Sequence, residues 1–182
     1  MKALKEQVRA EMRRQLADLS STERERGSIE VRAAVTALEE WKRSATVLLF
    51  WPRNDEPQVE PLYEIALAAG KTVALPSYDA TTETYVPRQF RIPATDLIRG
   101  RFGIVEPAPD CPMIPVSKID FALVPGLAFD ATGTRLGRGL GFYDRLLTDF
   151  AGFACGVAFR FQNHPGLPCE SHDRPMNRVL YG

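Results

Sequence analysis

Four short runs, almost wholly apolar, constrain this chain more than any other feature. They occupy residues 46–51, 71–75, 120–124 and 153–159. Each has the length of a strand, and near-continuous apolarity over that length marks a strand buried on both faces, as in parallel sheets covered by helices. Pro52 and Pro76 are expected to close the first two. Between these two, residues 57–69 read as a helix with Leu62, Ile65, Ala66 and Ala69 inward and Gly70 as its stop. Strand, helix and strand at this spacing make a βαβ unit with parallel strands. The expected fold is α/β: a mainly parallel sheet flanked by helices in Rossmann-like layers.

An N-terminal helical extension precedes the sheet. Leu4, Val8, Met12, Leu16 and Leu19 recur every three or four residues, the stripe of one helix face. Ser20 and Glu23 form a capping-box pattern, which starts a second helix running to about Trp41 with Val31, Val35, Leu38 and Trp41 buried. Residues 84–90 suggest an edge strand, followed by an irregular excursion through Gly100, Gly103, Glu106 and Pro107. A helix is expected over 139–150, and a loop-rich tail, carrying His164 and His172, from Arg160. No repeat or low-complexity linker interrupts the 182 residues, so residues 1–182 read as a single domain.

Charge excludes one class of function. The 23 Lys and Arg balance 23 Asp and Glu, whereas a nucleic-acid binder needs a positive excess. Within the cations, 18 Arg stand against 5 Lys, a bias that codon composition alone produces but that also suits phosphate and carboxylate oxygens. Cys111, Cys155 and Cys169 form no CxxC pair, so they read as free thiols of a reducing cytoplasm rather than zinc ligands. No segment approaches 18 consecutive apolar residues, and residues 1–19 lack the pattern of a secretory signal.

Chemistry concentrates after the third apolar run, in Arg135-Leu-Gly-Arg-Gly-Leu-Gly-Phe-Tyr-Asp144. Gly137, Gly139 and Gly141 leave backbone N–H groups bare and admit a ligand closely, while a following helix would present its positive end. Arg135 and Arg138 add forks for phosphate oxygens. The run matches neither GxxxxGK[ST] nor GxGxxG, and a tight turn accounts for the glycines equally well. Asp144 reads either as a ligand for a phosphate-bound magnesium ion or as an acid favoured in a helix's first turn.

On these residues the chain resembles the 5-formyltetrahydrofolate cyclo-ligases, also called 5,10-methenyltetrahydrofolate synthetases. The decapeptide 135–144 carries the likeness, preceded by Val124-Pro-Gly-Leu-Ala-Phe-Asp130 and Gly133, with Phe142 where a Tyr is usual. Further matches follow in order across residues 2–180: Lys5 and Arg9; Asp55-Glu56 ahead of Pro61-Leu62; Gly70-Lys71 with Val73-Ala-Leu-Pro76; Gly103-Ile with Glu106-Pro107; Ala158-Phe159 with Gln162; and His172-Asp173.

The resemblance implies an ATP-dependent ring closure. The formyl oxygen of 5-formyltetrahydrofolate is phosphorylated, N10 attacks the same carbon, and phosphate leaves to give 5,10-methenyltetrahydrofolate and ADP. Mg2+ is the implied cofactor. Such chemistry demands positioning and charge neutralisation more than a nucleophilic side chain.

By the same resemblance Lys5 and Arg9 reach the ATP phosphates, and Arg135, Leu136, Gly137, Arg138, Gly139, Leu140, Gly141, Phe142 and Tyr143 form the nucleotide loop. Arg138 and Tyr143 are the implied catalytic positions. Arg138, Gly139, Leu140, Gly141 and Phe142 also face the folate, together with Trp51 and Glu56, and Asp144 and Asp173 hold metal. Read without the family, Lys5 and Arg9 are a solvated helix face, Glu56 a surface acid and Trp51 a buried anchor. Asp55 competes with Glu56 for the pterin, and Arg174 in the basic tail is a further candidate for phosphate.

The expected partners are therefore small molecules, ATP and 5-formyltetrahydrofolate, with no nucleic acid and no membrane, the chain acting as a monomer. A paralogue acting on another N-formyl compound and a non-catalytic nucleotide- or folate-binding module are the alternatives.

Overall fold

The computed structural model describes residues 1–169 and 174–182. Helix α1 (Lys2–Asp18) buries Val8, Met12 and Leu16 of the apolar stripe. Helix α2 (Ser21–Ala37) starts on the predicted capping box: the Ser20 hydroxyl accepts the Glu23 N–H, and the Glu23 carboxylate accepts the Ser20 N–H. It does not run on to Trp41. Leu38 is extended, and a separate α3 (Glu39–Arg43) begins after it. Near the end of α2 the Thr36 hydroxyl turns back on the carbonyls of Arg32 and Ala33. The bend lets both Leu38 and Trp41 enter the core.

The remaining elements are β1 (Thr46–Leu48), α4 (Pro61–Ala68), β2 (Thr72–Asp79), β3 (Thr84–Phe90), α5 (Pro93–Asp96), β4 (Leu97–Arg99), β5 (Val105–Pro107), β6 (Phe121–Pro125), β7 (Ala128–Phe129), β8 (Arg135–Leu136), α6 (Phe142–Leu146), β9 (Phe153–Ala158) and β10 (Arg178–Tyr181). The main sheet has six strands in the order β10-β9-β6-β1-β2-β3. Its first five strands run parallel and β3 closes one edge antiparallel. Val47 and Leu49 face one apolar cluster with Trp41, Leu62 and Phe121, while Leu48 faces the other with Phe129 and Phe150. The runs are apolar throughout because both faces are covered.

Four expectations change in detail. Helix α4 starts at Pro61 rather than residue 57, and its buried residues are Leu62, Tyr63 and Ala66. Ile65 is left exposed, and the Tyr63 hydroxyl donates to the Phe50 carbonyl at 2.6 Å. Strand β2 continues through Pro76, which faces Pro87 of β3. Strand β1 has already ended opposite Ala74, so no ladder on that side needs the missing N–H. The tail supplies β10, a further parallel strand beside β9. The helix expected over 139–150 shrinks to the five residues of α6: Gly141 precedes it with φ 59°, and the Thr148 hydroxyl returns to the Asp144 and Arg145 carbonyls at its end.

The topology locates a crevice. From β1 the chain moves to β2 on one side, then returns to β6 on the other and continues outward to β9 and β10. The order reverses between β1 and β6, and at such a switch point the loops leaving the carboxyl ends of the two strands diverge and leave room for a ligand.

Candidate active site

Two loops meet at that crevice. The first follows β1 and carries Trp51, Asp55 and Glu56. The second leaves β6 and enters the β7–β8 hairpin, held by an internal network. Asp130 Oδ1 accepts the N–H groups of Thr132 and Thr134 and the Thr132 hydroxyl, and Oδ2 accepts the Leu167 N–H. Burial works against the charge of Asp130, but these bonds outweigh it and hold its carboxyl below the usual range. Gln162 is buried and donates to the carbonyls of Gly126 and Leu127, while its own carbonyl accepts from the Phe159 N–H. The Asp130 and Gln162 positions of the sequence motif are thus structural, and they fix where the glycine loop 137–141 begins.

Helix α1 is fastened to the same hairpin. Val8, Met12 and Leu16 pack with Leu127, Ala128 and Leu136. This contact brings the cationic side of α1 to the loop: Arg9 Nε donates to the Gly137 carbonyl at 2.9 Å, and its guanidinium lies against Gly139. Gly139 has φ 104°, a conformation that side chains resist. Lys5, one turn earlier, shares that side of α1. Leu136 is buried in the hairpin, whereas Leu140 stands at the loop's tip, 74% exposed.

Arg138 reaches across the crevice. Its Nη2 donates to Asp55 Oδ1 at 2.7 Å and to Glu56 Oε1 at 3.1 Å. Glu56 is only 7% exposed, and its second oxygen accepts the Arg53 N–H at 3.0 Å. Burial pushes the Glu56 carboxyl above the usual glutamate range, although Arg138 and the Arg53 N–H pull it down. The two acids in turn hold the Arg138 guanidinium firmly protonated against its own burial. Both acids bond the one arginine, Glu56 as the buried member and Asp55 as the half-buried one.

Beyond the glycines, Arg135 donates to Asp144 at 2.8 Å and lies over the Tyr143 ring, 5.4 Å from its centre. The Arg135 side chain is buried and its Nε has no partner among the described residues. Burial, with the nearby Glu56 charge added, pushes the Tyr143 pKa far upward, so its hydroxyl stays neutral and can donate but not act as a base. Phe142 sets its ring edge-on to Tyr85 of β3, 4.5 Å between centres. Trp51 is half-buried, set beside Tyr63 and packed against the core.

The five-residue α6 is too short to carry a substantial dipole, so cations rather than a helix end dominate the loop. Arg9, Arg135 and Arg138 supply them. Asp144 is the described candidate for a metal, and Arg135 engages one of its two oxygens. Among the described residues no three His, Cys, Asp or Glu gather as a metal cluster. A magnesium ion bound chiefly through phosphate oxygens needs only one or two protein carboxylates, so Asp144 suits it. Asp173 and His172 lie outside the described residues. Arg174 donates instead to the carbonyls of Leu147 and Phe150. The Gly103-to-Pro107 match is a packing motif: Glu106 is buried against Gly100, where any Cβ would collide with its carboxyl group.

The sequence profile of the 5-formyltetrahydrofolate cyclo-ligase family matches residues 1–182. The chain belongs to that family. It is 29% identical over 182 residues to the 5-formyltetrahydrofolate cyclo-ligase of Haemophilus influenzae, covering 98% of this chain and 97% of the relative. The structure of Aquifex aeolicus 5,10-methenyltetrahydrofolate synthetase superposes with a TM-score of 0.88 at 34% identity, over 98% of this chain and 89% of that one. The Mycoplasma pneumoniae 5,10-methenyltetrahydrofolate synthetase shares the fold, with a TM-score of 0.77 at 19% identity over 97% of each chain. Family membership makes the chain an enzyme of the cyclo-ligase type with a folate role.

The site contains cations that no sequence motif includes. Arg53 lies in the first loop, and Arg13 continues the Lys5 and Arg9 row by one further turn of α1. Four-residue spacing is the signal that marks Arg13. Arg53 has none beyond adjacency to the acids.

Proposed function

We propose that the chain couples ATP hydrolysis to closure of 5-formyltetrahydrofolate into 5,10-methenyltetrahydrofolate. The observation that carries this reading is Arg138: it belongs to the glycine loop yet bonds the acids of the opposite loop, so one guanidinium stands between a phosphate cradle and a carboxylate pair. Arg9, Arg135 and Lys5 surround the cradle and supply charge for a triphosphate. Glu56 offers a buried carboxylate that accepts paired N–H groups of a pterin edge, and Trp51 and Phe142 offer apolar contact.

In the reaction the formyl oxygen attacks the γ-phosphorus and ADP departs. The resulting phosphorylated imidate carbon accepts N10, the C–O bond breaks to release phosphate, and the N10 proton leaves with that phosphate. Arg138 leaves the acids for the transferring phosphoryl as pterin N–H groups replace it on Glu56. Arg9 and the glycine loop hold the nucleotide in line, and the Tyr143 hydroxyl, fixed neutral, donates to oxygen. Magnesium bound with the phosphates would be held by Asp144 and would supply further charge neutralisation; the Asp173 expectation lies outside the described residues.

The test is the purified chain with 5-formyltetrahydrofolate. Near-ultraviolet absorbance of the methenyl product should appear only with Mg-ATP, with one ADP per product. Turnover without ATP, or ATP-dependent consumption of a different formyl amine alone, overturns this reading.

A further inference from the structure

The acid loop after β1 is held in shape by a side chain that the reaction itself does not call on. Residues 53–56 form a turn in which the Arg53 carbonyl accepts the Glu56 N–H at 3.1 Å. The Glu56 carboxylate folds back and accepts the Arg53 N–H at 3.0 Å. Gln58 closes this turn from outside. Its side-chain Nε2 donates to the Arg53 carbonyl at 2.9 Å and to the Glu56 carbonyl at 2.8 Å, so one amide group ties both ends of the turn. Both partners are acceptors, so the position needs a group with two protons to give.

Gln58 is itself fixed to α2. Its N–H donates to the Ser28 hydroxyl at 2.9 Å, and its carbonyl accepts from Arg32 Nη1 at 2.7 Å. Ser28 is buried, and its hydroxyl donates in turn to the Arg24 carbonyl at 2.7 Å. Val59, the next residue, lies in the core. Pro57, between Glu56 and Gln58, fixes one backbone rotation of the short link. The path from α2 to the Glu56 carboxylate therefore has little slack.

We propose that Gln58 is a positioning residue for folate: it sets the plane of the Glu56 carboxylate and so governs how tightly the site takes a paired N–H edge. The inference rests on the reading that Glu56 receives the pterin. A carboxylate accepts two N–H groups side by side only when its plane is aligned with theirs. A turn free to rotate would present the right charge in the wrong plane, and a binding group is only as precise as the contacts that hold it. Gln58 acts through Glu56, and it makes α2 a support of the site.

Calorimetric binding of 5-formyltetrahydrofolate without ATP tests this, with ADP binding as the control. Gln58→Met keeps the side chain's length and both backbone bonds of Gln58 but donates nothing. It should weaken folate about tenfold, equivalent to about 1.4 kcal/mol, and leave ADP affinity within about twofold. Gln58→Glu keeps the shape but turns a carboxylate on two carbonyl oxygens, so it should weaken folate at least as much. The deciding measurement is made in a Glu56→Ala background. There Gln58→Met should change folate affinity by less than about twofold, because the group it acts through is gone.

Unchanged folate affinity in Gln58→Met, a tenfold loss that persists without Glu56, an equal loss for ADP, or a Gln58→Glu protein that binds like the parent each overturns the positioning role. The pterin reading survives any of these so long as Glu56→Ala weakens folate. A Glu56→Ala protein that binds folate as tightly as the parent overturns that reading and this inference with it, as does failure of the parent to bind folate.

Discussion

At the scale of single residues the site turns on a shared guanidinium. Arg138→Ala should cut turnover by about 10³ or more, the range for arginines that stabilise a transferring phosphoryl group. Single-turnover ADP release checks this, with circular dichroism to confirm the fold. Glu56 gives a prediction with a definite sign. Its folded pKa lies above the ordinary value of 4.5, chiefly through burial. The charged carboxylate is the form that accepts N–H groups, so folate affinity should fall with acidification at a pH higher than an exposed glutamate would give. Stability moves the other way: the folded state takes up this proton first, and the cost of burying the charge is relieved as pH falls through the raised value towards 4.5. Glu56→Gln should flatten both profiles, measured by pH-dependent titration and melting. The Arg138 pairing was beyond reach of the sequence because its partners stand 82 and 83 positions away and the first loop has no pattern to announce them. The decapeptide was legible through its family resemblance, since three glycines at alternate positions fit a tight turn equally well by themselves.

Among elements, the β7–β8 hairpin sets the position of everything after it. Gly133 has φ 82°, and a Cβ there would fall 2.3 Å from the Met176 carbonyl oxygen. Gly133→Ala should therefore destabilise the fold by about 1–3 kcal/mol, read from urea denaturation, and should raise KM for ATP by displacing the loop. Helix α1 contributes through packing: Met12→Ala removes a buried side chain against the hairpin and should cost about 2–4 kcal/mol, loosening Arg9 from Gly137. The parallel strands were readable in advance because a continuous apolar run of strand length suits an element covered on both faces and little else. The length of α6 was not, since Leu146, Leu147 and Phe150 keep helical spacing although the chain has already turned at Leu147. Strand β10 was equally hidden: Arg178–Tyr181 is only four residues long and shows no alternation, and only its pairing with β9 identifies it.

For the molecule as a whole, the reversal of strand order between β1 and β6 places the two loops of the proposed site on opposite sides of one crevice. Arg138 is the contact between them, so the two substrates should report on each other. Each ligand alone must weaken the Arg138 pairing, whereas both together share that cost. Thermal melts with ADP and a folate analogue should therefore shift more for the pair than the sum of the single shifts, each ligand at 100 times its Kd being worth about 2.7 kcal/mol by itself. Strict additivity would show that the two loops act independently. The balance of 23 charges of each sign conceals this arrangement because it averages over a surface on which cations gather at one place.

The exposed tip of the glycine loop also makes the enzyme easy to instrument. Leu140 projects from the loop without joining the core. Of the three cysteines, Cys111 and Cys155 are buried, and burial pushes the Cys155 thiol up to about 12, which leaves Cys169 as the exposed one. A Leu140→Cys, Cys169→Ser protein would accept a single fluorophore at the mouth of the crevice. Its emission would follow loop movement in real time, independently of product absorbance, and so give the order in which nucleotide and folate arrive.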